Sequence, residues 1–132
     1  DEGPAVKEAM AWVPTAALPA TDSWVSALAY SPDGARLAVG LKNRVELYNV
    51  ATQSRVARWD GKFGQVTALA FQPDGTTLAL GGYQTLELWD VAAGALKQSL
   101  RGHRGVVTSL AWSPDGLRLL SSSDDETVRV WT

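Results

Sequence analysis

The sequence repeats itself every 41 residues, and that period constrains the fold more than any other feature. Val25-Ser26-Ala27-Leu28-Ala29-Tyr30-Ser31-Pro32-Asp33-Gly34 returns as Val66-Thr67-Ala68-Leu69-Ala70-Phe71-Gln72-Pro73-Asp74-Gly75. It returns again as Val107-Thr108-Ser109-Leu110-Ala111-Trp112-Ser113-Pro114-Asp115-Gly116. A second echo follows in each unit: Val45-Glu46-Leu47-Tyr48, Leu86-Glu87-Leu88-Trp89 and Val128-Arg129-Val130-Trp131. The third unit carries one extra residue between the echoes. Each unit alternates apolar with small or polar residues, the period of a half-buried strand. Pro-Asp-Gly then supplies turn chemistry, with proline fixing φ and glycine accepting φ > 0. The pattern predicts strands a, b, c and d near 24–30, 36–40, 44–48 and 55–59, and again 41 residues later. The third unit adds strands near 106–112, 117–123 and 127–131. A weak helical pattern is visible only in Ala5–Ala11.

Short strands in units of this length are the signature of propeller blades. The residues resemble the WD40-repeat family. Gly102-His103 opens unit three, Ser113-Pro114-Asp115-Gly116 is its a–b turn, and the run from Ser121 to Trp131 closes it; unit two contributes Trp89-Asp90. Trp59-Asp60 mimics that dipeptide out of register, since it aligns with Leu100-Arg101 on strand d. The resemblance covers about residues 20–132. It implies an all-β fold of three four-stranded antiparallel WD40-type propeller blades, a partial ring completed by oligomerisation, or else a fragment of a larger propeller. Blade repeats fall at about 24–64, 65–105 and 106–132, after an N-terminal extension over 1–13 and a possible clasp strand over 14–18.

In the family, a histidine, a serine, an aspartate and a tryptophan link the strands of a blade. In unit three these are His103, Ser121, Asp125 and Trp131. Lys62 and Thr21 stand in the histidine position of the other units, which also lack the turn aspartate. Two of the three blades therefore cannot build the full network.

Propellers typically close with four to eight blades. Three blades leave two apolar flanks open, which favours association. Leu18 aligns with Trp59 and Leu100, so residues 14–18 occupy a strand-d position at the opposite end from the unit that lacks one. The expected partner is protein: a second copy in a six-blade homodimer, or the missing blades of a parent chain. Pro14 and Pro19 suit only strand edges. Asp1, in place of Met, reads as the start of a processed or excised piece.

His103, Ser121 and Asp125 also contain the residue types of a nucleophilic triad. No Gly-x-Ser-x-Gly surrounds a serine, so a hydrolase ranks below a structural network. Asp124-Asp125-Glu126 is too compact for a calcium loop, and Gly61-Lys62-Phe63-Gly64 lacks the spacing of a phosphate loop and reads as the d–a loop. Gly81-Gly82 is assigned to backbone permissiveness beside the b–c turn. Lys97, Arg101, Arg104 and Arg118 read as a solvated basic face. With 12 Lys+Arg, 14 Asp+Glu and net charge −2, the chain lacks the basic footprint of a nucleic-acid or anionic-membrane binder. No apolar run reaches the length of a membrane span, and no signal segment is visible. No cysteine and one histidine leave little metal chemistry, and no cofactor or metal is expected. The composition, 45% hydrophobic and 20% charged, is that of a soluble globular domain, with no compartment indicated.

The expected role is a non-catalytic protein–protein interaction scaffold. A second reading is an excised or engineered propeller fragment whose main property is self-assembly. Partner-binding candidates, carried over from the family's docking face, are Trp24, Ser26, Gln65, Thr67, Tyr83, Val106, Thr108 and Asp124. Trp24 and Tyr83 stand out as aromatic anchors. Tyr30, Phe71 and Trp112 occupy one repeated position and Tyr48, Trp89 and Trp131 another, which marks both sets as core.

Overall fold

The computed structural model describes residues 12–13, 16–18 and 22–132. The helical pattern over Ala5–Ala11 lies outside these residues, as do most of the extension and part of the clasp segment. Ten strands fill the described chain: β1 Ala27–Tyr30, β2 Arg36–Asn49, β3 Ser54–Gln65, β4 Ala68–Phe71, β5 Thr77–Gly82, β6 Thr85–Asp90, β7 Ala95–Ser99, β8 Val107–Trp112, β9 Leu119–Ser123 and β10 Val128–Trp131. They form three antiparallel sheets, ordered β1-β2-β3, β4-β5-β6-β7 and β8-β9-β10. Each sheet is one blade.

Blade two shows the unit most plainly. Ala68 pairs with Gly81, Gly82 with Thr85 and Leu88 with Gln98, so four consecutive strands meander outward. In blade one the expected strands b and c are continuous as β2. Its first half pairs with β1 (Leu37 with Tyr30) and its second with β3 (Leu47 with Ala57). Between them Asn43 takes φ 56, at the position where Gln84 takes φ 52 beside the β5–β6 hairpin of blade two. Gly61–Gly64, expected as a loop, lies inside β3: the ladder slips between Lys42–Gln65 and Arg44–Asp60, so these residues form a bulge in which Gly64 takes φ 70. Phe63 turns inward there and is buried perpendicular to the Trp89 ring, 6.4 Å between ring centroids.

The turns follow from the repeated Pro-Asp-Gly. Gly34, Gly75 and Gly116 all take φ above +70. Asp33, Asp74 and Asp115 each accept a backbone N–H two residues on, from Ala35, Thr76 and Leu117. These bonds, with hydroxyl donors from Ser31, Thr76 and Ser113, hold all three carboxyls below the usual aspartate range.

The core lies between blades. One joint packs Ala38, Val45 and Leu47 of blade one against Leu69, Leu78, Leu80 and Trp89 of blade two. The other packs Ala79, Leu86 and Leu88 against Leu110, Trp112, Leu119 and Trp131. The same knob recurs in both: Val66 sits on Gly40 and Val107 on Gly81, each so close that a glycine Cβ would lie 2.6 Å from the valine. Gly81 is thus required by close approach of the next blade, which corrects its assignment to backbone freedom. A third apolar cluster, Val39, Leu41 and Tyr48, lies on the outer side of blade one, where half-buried Leu18 covers it. Residues 16–18 form no strand, but Leu18 lies on blade one as Trp59 lies on blade two and Leu100 on blade three.

Tyr30 departs from the expected core. It is 65% exposed, although Phe71 and Trp112 at the same repeat position pack onto the preceding blade. No described blade precedes blade one, so the same orientation leaves Tyr30 in water.

Candidate interaction site

In blade three the four linked residues of the family pattern meet. Trp131 Nε1 donates to Ser121 Oγ at 2.9 Å, Ser121 Oγ lies 2.6 Å from His103 Nε2, and His103 Nδ1 lies 2.9 Å from Asp125 Oδ2. An indole N–H only donates and a carboxylate only accepts, so the protons run one way along the chain. With the imidazole neutral, Ser121 donates to Nε2 and the ring proton sits on Nδ1. Asp125 also accepts from the Thr127 hydroxyl and from the Arg104 and Thr127 backbone N–H groups. The Thr127 hydroxyl first, then the Arg104 amide and His103, hold its carboxyl far below the usual range against the opposing effect of burial.

The proton order is that of a catalytic triad, but the surroundings are not. Ser121 is 1% exposed and His103 7%. The serine oxygen is taken by the indole on one side and the imidazole on the other, which leaves no approach for a carbonyl carbon.

Blades one and two solve the same problem with different residues. The positions of Ser121 are filled by Val39 and Leu80, both buried. The strand-c aromatic turns instead to a glutamate two residues earlier: Tyr48 OH donates to Glu46 Oε1 at 2.6 Å and Trp89 Nε1 to Glu87 Oε1 at 2.9 Å. Glu46 is buried and paired with Arg44 Nε at 2.8 Å, and Arg44 reaches Asp22 at 2.5 Å. The Asp22 contact raises the Arg44 pKa further, and burial first, then Glu46, pushes the Tyr48 hydroxyl up. The Glu-x-aromatic spacing of units one and two is the sequence signal for this substitution, and reading the units for the histidine pattern alone misses it.

The candidate contact residues occupy one face. Trp24, Gln65 and Val106 form one row at the entrance of the innermost strands, and Lys42, Tyr83 and Asp124 a second at the tips of the b–c turns. The rows are joined by Lys42–Gln65 pairing and by a Tyr83–Val106 bridge. Gln84 N–H donates to Gly105 O, and Val106 N–H to Asp124 Oδ1 at 2.7 Å. Ser26 and Thr67 point between blades: the Ser26 hydroxyl donates to Val66 O and the Thr67 hydroxyl to Val107 O. Thr108, their equivalent in blade three, meets Ser122 Oγ at 2.9 Å within its own blade. Gln65 Nε2 is held by Ser26 Oγ at 2.6 Å. Trp24 and Tyr83 are left outward, 84% and 63% exposed.

Repeated antiparallel meanders of three or four strands, joined side by side through apolar flanks, define a β-propeller repeat protein. The family profile of the WD domain, G-beta repeat, matches residues 12–49, 53–90 and 94–132, most of the chain. The chain belongs to this WD40 family. All three matches begin at the strand-d phase, which places residue 12 in register with 53 and 94. Among solved structures, the crystal structure of the RRP9 WD40 repeats superposes with a TM-score of 0.82 at 23% identity, over 86% of this chain and 37% of that one. The structure of U3-55K gives the same values. The chain thus spans little more than a third of the length of these solved propellers. Comparison with curated proteins found no match. Domains of the family generally serve as protein-interaction scaffolds.

Proposed function

We propose that the chain is a non-catalytic protein–protein interaction scaffold whose docking face carries Trp24 and Tyr83 as anchors. The observation that supports this reading is their exposure. Trp89 is buried in a joint and Trp112 and Trp131 are partly buried in one, whereas these two rings stand in water on the face built by the b–c turns. Large aromatics on a rigid, backbone-paired surface lose little entropy when a partner covers them. Gln65, Val106, Thr108 and Asp124 flank them as polar and apolar contacts, while Ser26 and Thr67 contribute by fixing blade spacing. The buried, doubly occupied Ser121 supports a structural role for the His103 network.

The test uses peptides selected from a displayed library against the whole chain. Trp24→Ala and Tyr83→Ala are each expected to weaken the selected binders at least about tenfold, as anchor residues do, with an unchanged circular dichroism spectrum. Binders indifferent to both substitutions would contradict the docking face.

The open flanks belong to the same reading. Leu28 is 59% exposed where Leu69 is 9%, and Val128 is 67% exposed where Leu86 is 2%. We infer that further blades cover these surfaces and complete a ring, supplied by a second copy in a six-blade homodimer. Blades of a longer chain are the alternative source, supported by the greater length of the solved relatives.

A further inference from the structure

One position of the a–b turn differs among the blades: Ser31, Gln72 and Ser113 share it. In every blade its carbonyl closes the turn, accepting the N–H of Gly34, Gly75 or Gly116 at 2.9, 2.8 and 2.8 Å. The serine hydroxyls are spent inside the turn as well. Ser31 Oγ donates to Asp33 Oδ1 at 2.6 Å and accepts the Arg36 N–H at 2.9 Å. Ser113 repeats this with Asp115 at 2.6 Å and Arg118 at 3.0 Å. In blade two the Thr76 hydroxyl bonds the turn aspartate instead, at 2.8 Å, and Gln72 reaches out of its blade. Its Nε2 donates to Gly116 O of blade three at 2.8 Å, and a Cβ on Gly116 would stand 3.5 Å from its Cγ. A carboxamide thus plugs the joint between blades two and three at the a–b turns.

The joint between blades one and two has the same walls and no plug. Pro32 stands by Gly75 as Pro73 stands by Gly116, the proline Cδ lying 3.8 and 3.6 Å from where a glycine Cβ would be. Ser31 is short and turned into its own turn, and a cavity of about 470 Å³ opens there. Its apolar lining is Phe71, Pro73 and Val91. Its polar lining is Arg36, Asp33, Asp74 and the Gly75 backbone. The repeat turns Gly75 O toward blade one as Gly116 O faces blade two, and among the described residues no hydrogen bond reaches it. The Arg36 guanidinium likewise has no hydrogen-bond partner among the described residues.

These groups select the occupant. The lining offers a carbonyl that accepts and a guanidinium that donates, and a primary amide satisfies both at once. Charge is balanced: Asp33 and Asp74 are met by Arg36 and by Lys97, whose Nζ is held on Thr77 Oγ1 at 2.9 Å. A neutral group therefore enters without leaving a charge unpaired, whereas a carboxylate would face two ionised aspartates and a guanidinium would face Arg36. We propose that this cavity docks a glutamine side chain of a partner protein segment, seated as Gln72 is seated in the next joint, with its NH2 on Gly75 O and its C=O on Arg36. The volume exceeds one side chain and lies in the range of ligand pockets, so neighbouring residues of the segment enter with it. The site opens at the a–b turns, at the other end of the blades from Trp24 and Tyr83, and is independent of the docking face proposed above.

The test selects displayed libraries of short peptides, with a fixed central Gln, Glu, Arg or Ala, against the whole chain. Selected peptides are then titrated into isotope-labelled protein by nuclear magnetic resonance. Gln-centred peptides are expected to shift the Asp74, Gly75 and Val91 amides, and to weaken about tenfold when the glutamine is replaced by Glu or Ala, as loss of two hydrogen bonds implies. Ser31→Gln rebuilds the Gln72 plug in blade one and should weaken the same peptides about tenfold or more, with the denaturation midpoint unchanged or raised. Gln72→Ser, which introduces no larger side chain, should open the second joint and add shifts at Gly116. Trp24→Ala should leave all of these shifts in place. An empty Gln library, or peptides that bind without shifting Gly75, overturn the site. Undiminished binding to Ser31→Gln, or binding lost in Trp24→Ala, does the same. Arg- or Glu-centred peptides that bind as tightly overturn the amide assignment, and Gln72→Ser without shifts at Gly116 overturns the equivalence of the two joints.

Discussion

Blade two and blade three are built from the same repeat, yet they are held in different ways. Blade two is covered on both flanks, and its Trp89 is buried between Trp59, stacked at 5.5 Å and 6°, and the edge of Phe63. Its polar anchoring is a single bond to Glu87. Among the described residues, blade three packs against blade two alone and has the full internal chain from Trp131 to Asp125. The difference shows that packing across a joint and hydrogen bonding within a blade are alternative ways of fixing the same strand. In blade three the strand-c tryptophan is fixed by the network, and in blade two it is fixed by packing on Trp59 and Phe63.

The sharpest way to break this comparison is at the two tryptophans. Trp89→Ala should cost about 3–5 kcal/mol in chemical denaturation, the range for a large buried aromatic. Trp131→Ala, at a half-buried site, should cost clearly less. Equal losses would remove the distinction between the blades. Next in size is Ser121→Ala, which orphans the Trp131 indole and the His103 Nε2. A loss of about 1–3 kcal/mol is expected, and Glu87→Gln, which keeps an acceptor for Trp89, should cost much less.

Acid should act on blade three in the same sense. Asp125 is held below its ordinary value of 3.8 in the folded chain. Its contribution is therefore complete above that value and is lost as pH falls through the lower, folded one. Denaturation midpoints are expected to fall on acidification below about pH 4, and Asp125→Asn should flatten that dependence. Asp33, Asp74 and Asp115 shift in the same direction, so some acid sensitivity will persist in the variant.

The joints can be compared by filling one. Leu100 stands where Trp59 closes the other joint, and a cavity of 360 Å³ opens beside it, lined by Leu88, Trp112, Leu119 and Trp131. Leu100→Trp should stabilise by about 0.5–2 kcal/mol if the new indole stacks on Trp131 as Trp59 does on Trp89. A comparably small effect is expected at Glu126, which takes φ 69 in the b–c turn of blade three. Glu126→Gly should stabilise by about 1 kcal/mol through relief of the left-handed backbone.

Much of the architecture was legible because a repeat reports on itself: residues that recur at 41-residue spacing must do equivalent jobs. The strands of each unit and the residues of the His103–Ser121–Asp125–Trp131 network follow from residue identities and their spacing. What could not be read were features set by a neighbour's presence. Tyr30 and Phe71 are alike in sequence, and only the blade in front of Phe71 makes it core. Phe63 reads as a loop residue because a bulge in a strand has no periodic signal. The Glu46 and Glu87 anchors escape notice because the histidine pattern directs attention to Lys62 and Thr21, the missing partners, rather than to the acceptor within the same strand. The inward commitment of Ser26 and Thr67 could not be read either, because it depends on a carbonyl from the next blade.

The most direct measurement is the mass of the unaltered chain in solution across a range of concentrations, read alongside its near-ultraviolet tryptophan signature. Under the proposed ring completion by a second copy, the expected result is a pair at twice 14.1 kDa with ordered tryptophans. A folded species that holds at 14.1 kDa at every concentration would contradict that proposal and leave the blades of a longer chain as the source.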